Sequence, residues 1–138
     1  MSGVLGGNTP GRTATIWRSR TVKRLFSATI NSLRGLGFAF RNEAAVREEA
    51  IVLVLAIAAG IFIAPSIAWY VAMIGTLLFV LAIELLNTAT EKLADHITRE
   101  LHPDIGVIKD FGSAAVFCAL GLALLVWLAA IAVRCGLL

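Results

Sequence analysis

No charged residue occurs between Ala50 and Ile83, a run of 34, and none between Phe111 and Val133, a run of 23. About 20 apolar residues cross a bilayer as a helix, so the second run predicts one span and the first predicts two. A single helix through the first run would rise about 51 Å, far beyond a hydrocarbon core of about 30 Å. Pro65-Ser66 stands near its middle, and proline starts a helix better than it continues one. The expected spans are therefore Ala50 to Ala64, Ile67 to Thr88 and Gly112 to Arg134. A hydrophobic fraction of 59% and a mean hydropathy of +0.87 exclude a soluble globular domain. The fold class that follows is an all-α membrane protein of one domain, with three transmembrane helices.

Basic residues set its orientation. Arg12, Arg18, Arg20, Lys23, Arg24, Arg34, Arg41 and Arg47 precede the first span, Lys92, Arg99 and Lys109 lie between the second and third, and Arg134 alone follows. The positive-inside rule puts the N-terminus and the second loop in the cytoplasm. A pI near 9.3 is then explained by basic residues beside anionic headgroups, and no nucleic-acid partner is implied. The first fifteen residues have no apolar core of the signal-peptide kind. Residues 1–20 are expected to be a disordered tail and residues 21–138 the membrane domain.

From Thr21 to Gly37 the apolar residues Val22, Leu25, Phe26, Ile30, Leu33 and Leu36 recur at helical spacing with Lys23, Arg24, Asn31 and Arg34 among them. This pattern predicts an amphipathic helix lying in the membrane surface, ended or bent at Gly35 and Gly37. Asn42 is a candidate cap for the next helix and Glu43 and Arg47 a candidate i, i+4 pair. The segment from His96 to Asp110, with His102-Pro103 and Gly106, reads as a polar loop. Ala115 and Ala119 allow close helix packing on the third span. Cys118 and Cys135, 17 positions apart on one helix, are about 25 Å apart in rise and cannot pair with each other; both read as packing residues.

The stretch E-L-L-N-T-A-T-E-K-L-A-D, Glu84 to Asp95, carries the chemistry. Glu84, Asn87, Thr88, Glu91 and Asp95 fall at offsets 0, 3, 4, 7 and 11, which share one helical face. A carboxylate at membrane depth is costly and is usually functional; a structural polar seam between helices is the alternative. Around this stretch the cytoplasmic boundary gathers Glu43, Glu100, Asp110, Arg24, Arg47, His102 and Lys109. Carboxylates with few sulfurs or histidines favour a hard cation such as Mg²⁺, which usually arrives with substrate phosphates, and lysine suits a phosphate as a point charge. The combination suggests phosphoryl transfer to or from a lipid. Asp110-Phe111-Gly112 matches a protein-kinase tripeptide, but no glycine-rich loop, H-R-D segment, V-A-I-K strand or P-loop accompanies it.

Three segments, N-E-A-A-V-R-E-E (Asn42 to Glu49), E-L-L-N-T-A-T-E (Glu84 to Glu91) and K-D-F-G-S-A-A-V (Lys109 to Val116), resemble the signature blocks of the prokaryotic diacylglycerol kinase family. The resemblance runs from about Arg24 to the C-terminus. It implies a small three-span enzyme of the bacterial inner membrane with an N-terminal surface helix, assembled as a homotrimeric helical bundle with shared active sites. The implied reaction converts Mg-ATP and diacylglycerol to phosphatidic acid and ADP.

Carried over to this sequence, the resemblance makes Glu84 the general base and Glu43 and Glu91 the ligands of the divalent cation. Arg24, Asn31, Glu43, Glu91, Glu100, Leu101, His102, Lys109 and Asp110 fall at nucleotide-contacting positions. Arg24, Ala45, Val46, Arg47, Glu48, Glu49, Glu84, Asn87 and Ser113 fall where the lipid substrate is contacted. Asn31 and Leu101 replace aromatic residues of the family pattern, which leaves the hold on adenine open. A sister activity, undecaprenol phosphorylation, belongs to the same family, but the N-E-A-A block and the G-S-A-A start of the third span resemble the diacylglycerol branch more closely. A non-enzymatic transport or scaffold subunit would instead use the acidic residues for proton carriage or helix pairing.

Overall fold

The structure, a computed structural model, describes residues 10–98, 100 and 102–138, with side chains from residue 23 onward. Among these residues every regular element is an α-helix: α1 (Pro10–Asn42), α2 (Ala44–Ile63), α3 (Ile67–Ile97) and α4 (Pro103–Arg134). The chain divides after Phe38 into two compact units.

The described part of the first unit is α1 up to Phe38. Pro10 opens it, at a position where proline's missing N–H costs nothing, so residues 10–20 of the expected disordered tail are helical here. Gly35 and Gly37, expected to end or bend the helix, lie inside it, and α1 continues to Asn42. Two glycines weaken a helix by about 1 kcal/mol each relative to alanine. That is too little to break one extended on both sides. Leu25, Phe26 and Leu33 are exposed along it, and the Thr29 hydroxyl donates to the Leu25 carbonyl at 3.0 Å.

In the second unit α2 and α3 form an antiparallel pair joined by Ala64–Ser66. Proline lacks the N–H that would continue α2, and Ser66 caps α3 by accepting from the Trp69 backbone N–H at 3.4 Å. Tyr70, in the first turn of α3, donates its hydroxyl to the Ile57 carbonyl at 3.1 Å. Its ring lies on Gly60, where a Cβ would stand 3.1 Å from the ring edge, so the glycine is what admits the aromatic side chain. Glu43, and not Asn42, is the N-cap residue of α2, and its side chain makes no capping bond.

α3 is the axis of this unit, packed most extensively on α4 and next on α2. Val80 meets Ala119 and Ala123, flanked by Leu77 and Ile83. Ala119, Ala123 and the buried Ala130 are the small residues that let α4 lie close to its neighbour; Ala115 is exposed, so the close face begins one turn later than expected. Trp127 spans the two helices, donating its ring N–H to the Met73 carbonyl at 3.2 Å. The same carbonyl accepts from the Thr76 hydroxyl at 2.8 Å.

α3 and α4 are each long and apolar enough to cross a membrane. Arg47, Glu48 and Glu49 fill the early turns of α2, so its uncharged part is residues 50–63. Outward faces remain apolar, with Phe62 and Phe117 more than three-quarters exposed. Cys118 and Cys135 are free and exposed, so neither packs inside this chain. The expected polar loop is much shorter than the sequence suggested: Pro103 takes the first helical position of α4 and Gly106 lies within the helix. Residues 98–102 alone separate α3 from α4, and both helices extend past their apolar runs into a polar end.

Candidate active site

That polar end holds the carboxylates. Glu84 is 8% exposed and Thr88, one turn on, is 9% exposed; both face the packed side of α3. A buried carboxylate must be offset by neighbours that the fold supplies. Asn87 lies between Glu84 and Glu91 on the same face, and its Nδ2 donates to Glu91 Oε1 at 3.3 Å. Glu84 is near enough to Glu91, and more weakly to Glu43, for their charges to act on one another. Glu49 reaches the same region from α2: its charge acts on Glu84, and its Oε2 is buried without a hydrogen-bond partner.

Asn87 Oδ1 is likewise buried and without a partner. It lies against Gly112 of α4, where a Cβ would collide with Oδ1 and stand 3.2 Å from Cγ. Gly112 is therefore the residue that makes room for Asn87. The sequence pattern marked Gly112 as the start of a span and as part of a signature block, and gave no sign of this contact.

Two lysines reach across helices to the carboxylates. Lys92 Nζ stands 2.7 Å from Glu43 Oε1, so Glu43 pairs with α3 and not with Arg47. Lys109 of α4 stands 2.6 Å from Asp95 Oδ1 of α3. Asp95, which helical spacing could place only on the polar face, thus tethers the lysine proposed for phosphate. Lys92 had no assigned part, because it lies one position past Glu91 and so off the acidic stripe.

The remaining candidates are spread more widely. Val46 is buried, Ala45, Arg47 and Glu48 are exposed, and Asp110 and Ser113 are exposed on α4. The Glu100 backbone N–H donates to the Thr98 hydroxyl at 3.1 Å. His102, N-cap of α4, has its Nδ1 3.8 Å from Asp104 Oδ2. Arg24 and Asn31 stand exposed on α1 in the first unit, and Leu101 lies outside the described residues.

An open groove of about 310 Å³ lies beside the carboxylates, lined by Ala45, Glu48, Glu49, Val52, Leu77, Val80 and Leu120. Val52, Leu77 and Leu120 also line a second, almost wholly apolar groove that extends to Ala123 and Trp127. Polar and apolar walls thus adjoin in one path along α2, α3 and α4. Among the described residues no three His, Cys, Asp or Glu side chains converge to hold a metal ion unaided. Glu43 and Glu91 offer two oxygen donors of the hard kind. That set fits Mg²⁺, which commonly takes one or two carboxylates and completes its shell with water and phosphate oxygens.

Residues 30–131 match the family model described as prokaryotic diacylglycerol kinase. The chain belongs to this family. It is 38% identical over 112 residues to the diacylglycerol kinase of Haemophilus influenzae, a match covering 81% of this chain and 95% of that protein. It is 39% identical over 106 residues to that of Pseudomonas aeruginosa, covering 77% and 86%. To that of Escherichia coli it is 36% identical over 104 residues, covering 75% and 85%. As a member of the prokaryotic diacylglycerol kinase family the chain is an enzyme of that kind, and family membership together with two helices apolar enough to span a bilayer points to a membrane protein.

Proposed function

We propose that the chain phosphorylates diacylglycerol at the cytoplasmic face of the bacterial inner membrane, using Mg-ATP and giving phosphatidic acid and ADP. The observation that carries this reading is a buried carboxylate, Glu84, one helical turn beyond Val80 and near enough to Glu49 for their charges to interact, where Val80 and Glu49 both line a groove that passes from the acidic side chains of α2 to an apolar wall. Relatives named diacylglycerol kinase support the substrate. In this reading α2 is the first of three spans, followed by α3 and α4, α1 is the surface helix, the N-terminus is cytoplasmic, and the working unit is a homotrimer with shared sites.

The lipid hydroxyl lies in the polar part of the groove with its acyl chains along the apolar part. Glu84 accepts the hydroxyl proton as the oxygen attacks the γ-phosphorus in line, while the bond from that phosphorus to the β-phosphate oxygen breaks and ADP leaves. Asn87 orients Glu84 and Glu91, and Glu49 with Ala45, Val46, Arg47, Glu48 and Ser113 contacts the lipid headgroup region. Glu43 and Glu91 would hold the divalent cation, which supplies charge neutralisation at the phosphates. Lys109, oriented by Asp95, adds a positive charge there. Arg24, Asn31, Glu100, Leu101, His102 and Asp110 complete the nucleotide contacts. Most of the rate enhancement comes from positioning and charge, since no covalent intermediate is needed.

Purified protein in vesicles containing equal amounts of diacylglycerol and undecaprenol, supplied with γ-labelled ATP, tests the assignment. The reading predicts label in phosphatidic acid. Preferential labelling of undecaprenol would overturn it.

A further inference from the structure

Lys92 is assigned no part in the chemistry above, yet its ammonium lies 2.7 Å from an oxygen of Glu43, one of the two carboxylates read as metal ligands. The pair joins α3 to the residue that starts α2, so it also fixes where the Glu43 carboxylate sits relative to Glu91. The ammonium and a divalent cation compete for the same group. A magnesium ion binds a carboxylate oxygen at about 2.0–2.1 Å, and with the ammonium retained on that oxygen the two positive centres would be only about 4 Å apart. At that separation like charges repel strongly at the effective dielectric of a protein surface.

We propose that Lys92 is a displaceable counter-cation, whose ammonium holds Glu43 beside α3 and is released when a divalent cation binds that carboxylate. The inference rests on the reading of Glu43 and Glu91 as metal ligands. Three features of the pair suit such a part. The Lys92 side chain is 54% exposed and that of Glu43 only 24%, so the lysine can move to water while the carboxylate stays in place. Lysine is a flexible point charge with no fixed fork, which makes an ion pair easy to exchange. The pair also sets a positive charge beside Glu43, one of the two carboxylates whose charges act on Glu84, which eases the gathering of acidic groups at one end of the helix pair. The consequence is a site whose affinity for the cation is lowered by its own lysine.

The test is a titration of the full-length protein in lipid bicelles with Mn²⁺, without nucleotide, read by electron paramagnetic resonance of the free ion. Lys92→Met is expected to lower the Mn²⁺ dissociation constant roughly two- to fivefold, the range that freeing an exposed ion pair can give. Lys92→Gln should behave in the same way, and Lys92→Arg, which keeps the charge, should bind Mn²⁺ less tightly than either. Unchanged or weaker Mn²⁺ binding in both neutral variants would overturn the proposal, since Lys92 would then not compete for the site. Glu43→Gln and Glu91→Gln in the same assay separate this failure from that of the underlying reading. If wild-type protein binds Mn²⁺ and either carboxylate variant loses it, the metal assignment stands whatever Lys92 does. If neither substitution changes Mn²⁺ binding, both readings fall.

Discussion

The two ends of the α3–α4 pair are built on different physics. Toward Met73 and Trp127 the helices meet through small residues, a buried methionine and a ring N–H on a backbone carbonyl. Toward Glu84 and Asp95 they meet through a glycine that admits an amide, an ion pair between helices, and an amide oxygen buried without a partner. A buried polar atom left unpaired costs free energy that packing could have avoided. Among the described residues the unpartnered buried polar atoms, Asn87 Oδ1 and Glu49 Oε2, fall at the polar end, so the costly groups are concentrated where the chemistry is proposed. The apolar end should therefore govern stability and the polar end turnover.

The sharpest way to break this contrast is Glu84→Gln, a near-isosteric change expected to lower turnover by 100-fold or more with little change in the thermal unfolding midpoint. Turnover close to wild type, measured by coupled ADP release, would remove Glu84 as the base. Glu91→Ala and Glu43→Ala are expected to lose about 100-fold in rate and to shift the Mg²⁺ titration curve to higher concentration. An unshifted curve would count against the metal assignment. Gly112→Ala places a methyl group on Asn87 and is expected to cost about tenfold in turnover, read alongside far-ultraviolet circular dichroism that stays unchanged. Asp95→Asn releases Lys109 from its 2.6 Å partner, and a several-fold rise in KM for ATP is the expected result. At the other end, Trp127→Phe removes one hydrogen bond but keeps an aromatic ring in the apolar groove, and should lower stability by about 1 kcal/mol with kcat close to wild type.

Much of the architecture is readable from uncharged length. The run from Ala50 to Ile83 cannot be one helix, and Pro65-Ser66 marks its turn, as the Ser66 cap confirms. Glycine misled the reading at three places. Gly35, Gly37 and Gly106 lie inside helices, because neighbouring residues that favour the helix outweigh a penalty of about 1 kcal/mol per glycine. At the site, Glu84, Asn87 and Glu91 are legible because a single helix sets their spacing. The contacts of Lys92 with Glu43, the cap of α2, Lys109 with Asp95 and Gly112 with Asn87 each join residues of different elements. Periodicity along one element carries no information about what the neighbouring element presents to it, so these pairs needed coordinates.

The account depends most on where the γ-phosphate goes. Following ADP and labelled lipid together, with purified protein in vesicles of diacylglycerol and phospholipid, measures this directly. The account predicts one labelled phosphatidic acid for each ADP released, with both products falling together in Glu84→Gln. ADP released without labelled lipid, or no ATP consumed by the wild-type protein, would contradict it.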